Sequence, residues 1–500
     1  MKKYLKLIPI TAMVLLAIIL VRCAVNPVTG KKEIMLISES MEIDMGREID
    51  QGLRIEYGLY NDPQLRTYVS QTGMKLVPYT HRPHLQYHFE ILDTPVENAF
   101  AAPGGYIYIT RGLLAMLNSE AELAAVLGHE LGHVNARHSA RQMTRSILVT
   151  LGILLAGELS EDIKKITPIS LIAAQLLFLK YSRSDEYQAD ALGVQYSFKA
   201  GYASGEMVRF FGSLERLTKS EGGVRLPNFL STHPLTPRRV ERIKELLATP
   251  EYDLPPGGPA LAVHRNEYIR LMDGLVYGDN PRQGYVEGQA FYHPDMKFYF
   301  KVPYGWEVAN TARQVTLAPK NGKAVIIFKA EDTNESLDNY TEKMTKTLTN
   351  PQVLQQGFLA VNGLNAFHSL LKFSPEGEKP SDQKEGEGYQ PKEEINVRVS
   401  CIRKEGTIFT FFTATEVKDY SAFQYDIENT VNSFKPLYSP KHLDRRPVRV
   451  SIKSSRGGES LSSFLQRLRI PAQYWEKIAL INGLDTGQQL TPNQLVKVLR

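Results

Sequence analysis

Five hundred residues exceed what one hydrophobic core fills, so the chain reads as two to four domains. Its composition, 43% hydrophobic and 23% charged, is that of a globular protein rather than a disordered or fibrous one. A formal charge of +5 with no dense basic run leaves nucleic-acid binding without support, and two cysteines, Cys23 and Cys401, allow at most one disulfide.

Lys2, Lys3 and Lys6 precede an apolar run from Leu7 to Val21, the basic and hydrophobic regions of a secretory signal, and short for a membrane span. The run ends in Leu20-Val21-Arg22-Cys23. A cysteine at this boundary resembles the lipobox of bacterial lipoproteins, which implies acylation of Cys23 as a lipid anchor. Arg22 departs from the small residue of that pattern and leaves an uncleaved signal anchor as the alternative. Residues 1–22 are thus a signal peptide or a signal anchor, and either outcome tethers the protein to a membrane facing an extracytoplasmic space. Cys401, in INVRVSCI, reads as a buried strand residue.

From 23 to 250 the pattern is mainly helical. NAFAAPGGYIYIT (98–110) is the strand-forming exception, with Pro103-Gly104-Gly105 as its turn. Ser119-Glu120-Ala121-Glu122 is a capping box opening the helix AELAAVLGHELGHVNARH. Two apolar segments, 146–157 and 169–179, are too short to cross a bilayer and read as buried core helices. His81, His84 and His88 lack a helical frame or an acidic partner, so they read as ordinary surface or core residues.

The chemistry concentrates in His129-Glu130-Leu131-Gly132-His133. Four residues along a helix return to about the same face, so both imidazoles project toward one tetrahedral metal, one Zn2+ per chain. Glu130 falls beside the metal's open position, where a carboxylate takes a proton from bound water. The third ligand defines the subclass. An extended motif would need Gly at 136 and His at 139, which are Ala136 and Ser139, and His138 is one residue out of register. SRSDEYQADALG offers Glu186 instead, which completes a His-His-Glu site, and Asp190, one turn later, suits the outer nitrogen of a ligand histidine.

HELGHVNARH, SRSDEYQAD, NAFAAPGGYIYIT and STHPLTPRR, in this order, resemble the zinc metalloendopeptidase family of the CAAX prenyl proteases, HtpX and the periplasmic BepA- and LoiP-like enzymes. The resemblance covers about residues 24–247, and CAVNPVTGKKEIMLIS is similar to the mature start of its lipoprotein members. It implies a gluzincin-type domain with His129, His133 and Glu186 on zinc and Glu130 as general base. It also implies an edge strand from Asn98 to Tyr108, with Asn98, Gly104, Gly105 and Tyr106 holding an extended peptide by backbone hydrogen bonds. His233 is implied either to support the oxyanion or to occupy the open metal position, and Arg239 to supply a cation near that oxyanion.

A Pro/Gly-rich stretch opens a linker with a helix at 251–287. Residues 288–437 then read as a small α+β domain without recognisable chemistry, interrupted by the polar loop 374–394. Residues 447–500 run strand, helix, helix, strand. With G-E-S-L, Asn482-Gly483 and L-T-P-N-Q they resemble the LysM carbohydrate-binding module, which implies peptidoglycan as a partner. The whole is a multidomain α+β chain in the bacterial cell envelope, on the periplasmic side. Its expected function is cleavage of misfolded or stalled envelope proteins. A largely latent protease acting as chaperone or assembly factor, or a glycan-binding structural lipoprotein, are the other readings.

Overall fold

A computed structural model describes residues 23–155, 180–220, 228–252, 260–311, 313–346, 351–373 and 394–500. The signal segment 1–22, the apolar segment 169–179 and nearly all of the loop 374–394 lie outside the described residues. The chain divides into two compact units, 1–278 together with 448–500, and 279–447.

The first unit opens with β1 (Cys23–Val25) paired antiparallel to β2 (Lys32–Ile34). Helices α1 (Glu39–Glu56) and α2 (Pro63–Leu76) follow, capped by the side chains of Ser38 and Asp62. Strands β3 (His88–Leu92), β4 (Ala99–Ala102) and β5 (Tyr106–Thr110) form a sheet in the order β3-β5-β4. The 98–110 segment is therefore not one edge strand. The edge is Ala99–Ala102 alone, and Tyr106–Thr110 turns back into the centre of the sheet. Gly104 and Gly105 make that reversal with φ of 79° and 101°, and a Cβ on Gly104 would meet the backbone of Ile43 and Glu42 at 2.6 and 2.7 Å. Glycine is needed there for the turn and for close packing under α1.

After α3 (Arg111–Met116), Ser119 caps α4 (Glu120–Asn135), its Oγ accepting from Glu122 N at 3.1 Å. The carboxylate of Glu122 reaches past the cap to Asn118 N at 2.7 Å. Every residue of α4 is buried. Arg137, at φ 57°, breaks it from α5 (His138–Leu155). By Arg145–Ile147 that helix is exposed, so the start of the 146–157 segment is not core.

Helix α6 (Arg183–Lys199) begins with a Ser182–Asp185 capping box and crosses α4 almost backbone to backbone. A Cβ on Gly193 would lie 2.9 Å from His129 N, and one on Gly132 3.0 Å from Ala189 Cα. Larger residues at this crossing would hold the two helices apart. The rest of this part is α7 (Glu206–Ser220), the short α8 (Asn228–Thr232), α9 (Pro237–Leu247) and α10 (Arg265–Leu271). Helix α10, read from the sequence as linker, belongs to the core: Tyr268 and Ile269 are buried and Tyr268 Oη donates to Leu114 O at 2.7 Å.

The second unit holds a seven-stranded antiparallel sheet and a four-stranded sheet, with a shared core of Phe291, Phe298, Phe300, Phe328, Phe409, Phe411 and Phe434. Two of its strands, Gln352–Val361 and Leu364–Phe373, are not evident in the sequence. Cys401 is fully buried on the strand Ile395–Lys404.

The tail folds as strand Val450–Ser454, helices Leu461–Arg467 and Trp475–Asn482, and strand Leu495–Leu499, the two strands antiparallel. It is not a separate body: its apolar residues share one core with the helices of residues 60–276. Val450 exchanges backbone hydrogen bonds of 2.8 Å with Gly274 and Leu275. Lys497, fully buried, donates from Nζ to Ala115 O and Leu117 O, each at 2.7 Å, just ahead of α4. Burial holds this amine well below its usual pKa, and burial pushes the nearby Glu122 carboxyl up to about 7.

Candidate metal centre

The α4/α6 crossing, tight because Gly128, Gly132 and Gly193 carry no side chains, brings Glu186 of α6 over the two histidines of α4. One donor atom each from His129, His133, Glu186 and His233 lies within 4.8 Å of the others, and all four residues are buried. His129 Nε2 and His133 Nε2 are 3.0 Å apart, His129 Nε2 and His233 Nδ1 3.3 Å, and Glu186 Oε1 and His233 Nδ1 3.0 Å. Ligands about 2.0–2.1 Å from a tetrahedral zinc stand roughly 3.3 Å from each other, so this donor set has the spacing of a metal shell.

Charge agrees with that spacing. Glu130, Glu186 and Asp190 gather around one guanidinium, Arg239, an acidic excess that suits a cation. Burial, then the neighbouring histidines, push His133 well below its usual pKa, which keeps it a neutral donor. Burial alone would raise Glu186 and Asp190. His233 with Arg239 in the first case, and Arg239 with His129 in the second, outweigh it and hold both carboxylates low.

Glu130 is fully buried, and neither of its carboxylate oxygens has a hydrogen-bond partner. His233 Nε2 is 3.6 Å from Oε1. Burial raises its pKa, as suits a group that takes up a proton. Asp190 Oδ1 stands 3.0 Å from His129 Nδ1 and is gripped by Arg239, whose Nε and Nη2 reach the carboxylate at 2.7 and 2.6 Å.

Arg239 also lies 2.9 Å from Glu186 Oε2 and donates to the carbonyls of His233 and Pro234. Its N–H groups are thus engaged with Asp190, Glu186 and two backbone carbonyls. His233 follows α8, its N–H bonded to Phe229 O at 2.7 Å, while Phe229 N donates to Glu97 O at 2.9 Å next to the edge strand. Asn98, fully buried, accepts from Thr232 Oγ1 on Oδ1 at 3.4 Å. Gly104, Gly105 and Tyr106 lie at the far turn, where Tyr106 stacks on His88 with ring centroids 4.6 Å apart.

Two residues of the site escape the sequence. Tyr181 stacks on His133 at 4.0 Å between ring centroids and shares a 2.9 Å hydrogen bond with Ser139. His138, out of register as a ligand, is brought back by the Arg137 break so that its Nδ1 lies 2.9 Å from His133 Nδ1. A helix assumed to continue through 138 hides this contact.

Comparison with known proteins adds a family. Residues 63–247 match the family described as Peptidase family M48. Over 212 residues the chain is 31% identical to the Beta-barrel assembly-enhancing protease of Escherichia coli (strain K12), a match covering 41% of this chain and 43% of that one. It is 32% identical over 181 residues to the Mitochondrial metalloendopeptidase OMA1 of Schizosaccharomyces pombe, covering 36% and 52%. The chain thus spans about half the length of these relatives or less.

Proposed function

We propose that the chain, whose residues 63–247 match Peptidase family M48, is a zinc-dependent endopeptidase that cleaves unfolded or misassembled proteins on the periplasmic side of a bacterial envelope. The observation that carries this reading is the convergence of four buried donors on one point beside an unpartnered buried carboxylate.

His129, His133 and Glu186 would hold the zinc, which when bound polarises a scissile carbonyl and acidifies water. Glu130 takes the proton from the attacking water at Oε1 or Oε2 and passes it to the leaving amine. Asp190 orients His129, and Arg239 fixes Asp190 and Glu186 without touching substrate. The edge Ala99–Ala102 would add an extended peptide as a further strand, selecting unfolded chains with little side-chain preference.

The test uses the full-length protein: bound zinc is measured, and an unfolded protein substrate is incubated with wild type and Glu130→Gln. One zinc per chain with cleavage abolished only in the variant is expected; stoichiometric zinc with no cleavage by either sinks the enzyme.

His233 favours a second reading. Its Nδ1 supplies the fourth donor, and Phe229 bonds to the carbonyl of Glu97, where a peptide would begin to pair. That arrangement describes a closed site, and a protein resting there acts mainly as a chaperone or assembly factor. Cleavage that rises in His233→Ala supports latency; cleavage that falls makes His233 part of the catalytic apparatus. The envelope placement rests on acylation of Cys23, checked by acyl labelling against Cys23→Ser, and on glycan binding by 447–500, checked by pull-down on purified peptidoglycan.

A further inference from the structure

A ligand histidine needs its outer nitrogen held, because one N–H bond sets both the tautomer and the ring's aim. His129 has Asp190. His133 has no carboxylate there. Its Nε2 faces the donor cluster, 3.0 Å from His129 Nε2 and 3.7 Å from Glu186 Oε1, so Nδ1 points away from the metal position. What meets Nδ1, at 2.9 Å, is His138 Nδ1.

The proton positions follow from chemistry. If His133 Nε2 donates its lone pair to a metal, its Nδ1 must carry the hydrogen. His138 Nδ1 must then accept, so the single proton of a neutral His138 sits on Nε2. That nitrogen is 3.0 Å from Gln188 Oε1, an acceptor. Asp185 Oδ1 stands further off, at 3.6 Å, and is drawn to Arg141 Nη1 at 3.0 Å. Each donor finds an acceptor, in a chain running outward from the metal position.

We propose that His138 is a positioning residue of the metal centre, which accepts from His133 Nδ1–H, locks the tautomer that aims Nε2 at the metal, and is itself locked by Gln188. This inference rests on the metallopeptidase reading of the same site. His138 is buried, 1% exposed, and Tyr181 stacks on His133 beside it.

The test measures zinc affinity of the full-length protein by competition with a chromophoric chelator, alongside the melting temperature of the metal-free form and the visible spectrum of the cobalt form. His138→Leu removes the acceptor and should weaken zinc about 10- to 100-fold. His138→Asn places an amide oxygen near the position of Nδ1 and should restore affinity to within about threefold, with the cobalt bands of wild type. Equal weakening in both variants, or none in His138→Leu, overturns the proposal. Where His138→Leu fails to fold, His138→Asn and Gln188→Leu decide: the amide variant should bind as wild type and Gln188→Leu several-fold weaker, and the reverse order overturns it. A wild type that binds no zinc refutes the metallopeptidase reading itself. A wild type that binds zinc beside an indifferent His138→Leu refutes only this inference.

Discussion

His129 and His133 stand one turn apart on the same helix and face the same point, yet they are braced by different chemistry. Behind His129 is a carboxylate whose charge is taken up by a buried guanidinium; behind His133 is a neutral imidazole backed by an amide. The first brace ties α4 to α6 and α9 through ions, so it carries stability as well as aim. The second runs through hydrogen bonds alone, so its loss should disturb the metal more than the fold.

Asp190→Ala breaks the comparison hardest. It removes the carboxylate that takes two bonds from the buried Arg239, leaving Glu186 as its remaining anionic partner, and should cost about 3–5 kcal/mol, read as a large fall in melting temperature together with zinc loss. In its effect on zinc Gly193→Ala comes next, because its Cβ would lie 2.9 Å from His129 N, where backbone cannot yield. Overpacking of this kind costs about 1–3 kcal/mol and should lift Glu186 away from both histidines, weakening zinc in the chelator assay. Lys497→Met sharpens the contrast from outside. It leaves two buried carbonyls unpaired at about 1–3 kcal/mol each, yet touches neither brace, so denaturant stability should drop while zinc affinity stays within about twofold. A Lys497→Met protein that loses zinc would show that the start of α4 also governs the metal. Smallest is the difference between His138→Asn and wild type, whose melting temperatures should fall by the same amount on zinc removal.

The candidate donors His129, His133 and Glu186, with Asp190 behind them, are legible in the sequence because their spacing is a helical one: positions 129 and 133, and 186 and 190, each return to a single face. Contacts between elements are less legible. The pairing of α4 with α6 depends on three glycines, whose meaning appears only once both helices are placed. His138 is concealed by a residue in left-handed conformation, Arg137, that no local pattern announces. The 98–110 segment shows its strand character plainly, but which half forms the edge is set by the Gly104 and Gly105 turn under α1. In the tail the order of elements can be read directly, whereas its union with the core rests on buried residues such as Val450 and Phe464, which look like any small domain's own interior.

That union has a consequence in time. A chain emerging N-terminus first presents His129, His133, Glu186, Asp190, His233 and Arg239 well before Val450 and Lys497, with all of residues 279–447 in between. Throughout that interval the carbonyls of Ala115 and Leu117 wait for the lysine that will meet them. The candidate ligands of the metal come first in the chain, and the residues that close the core around their helix come last.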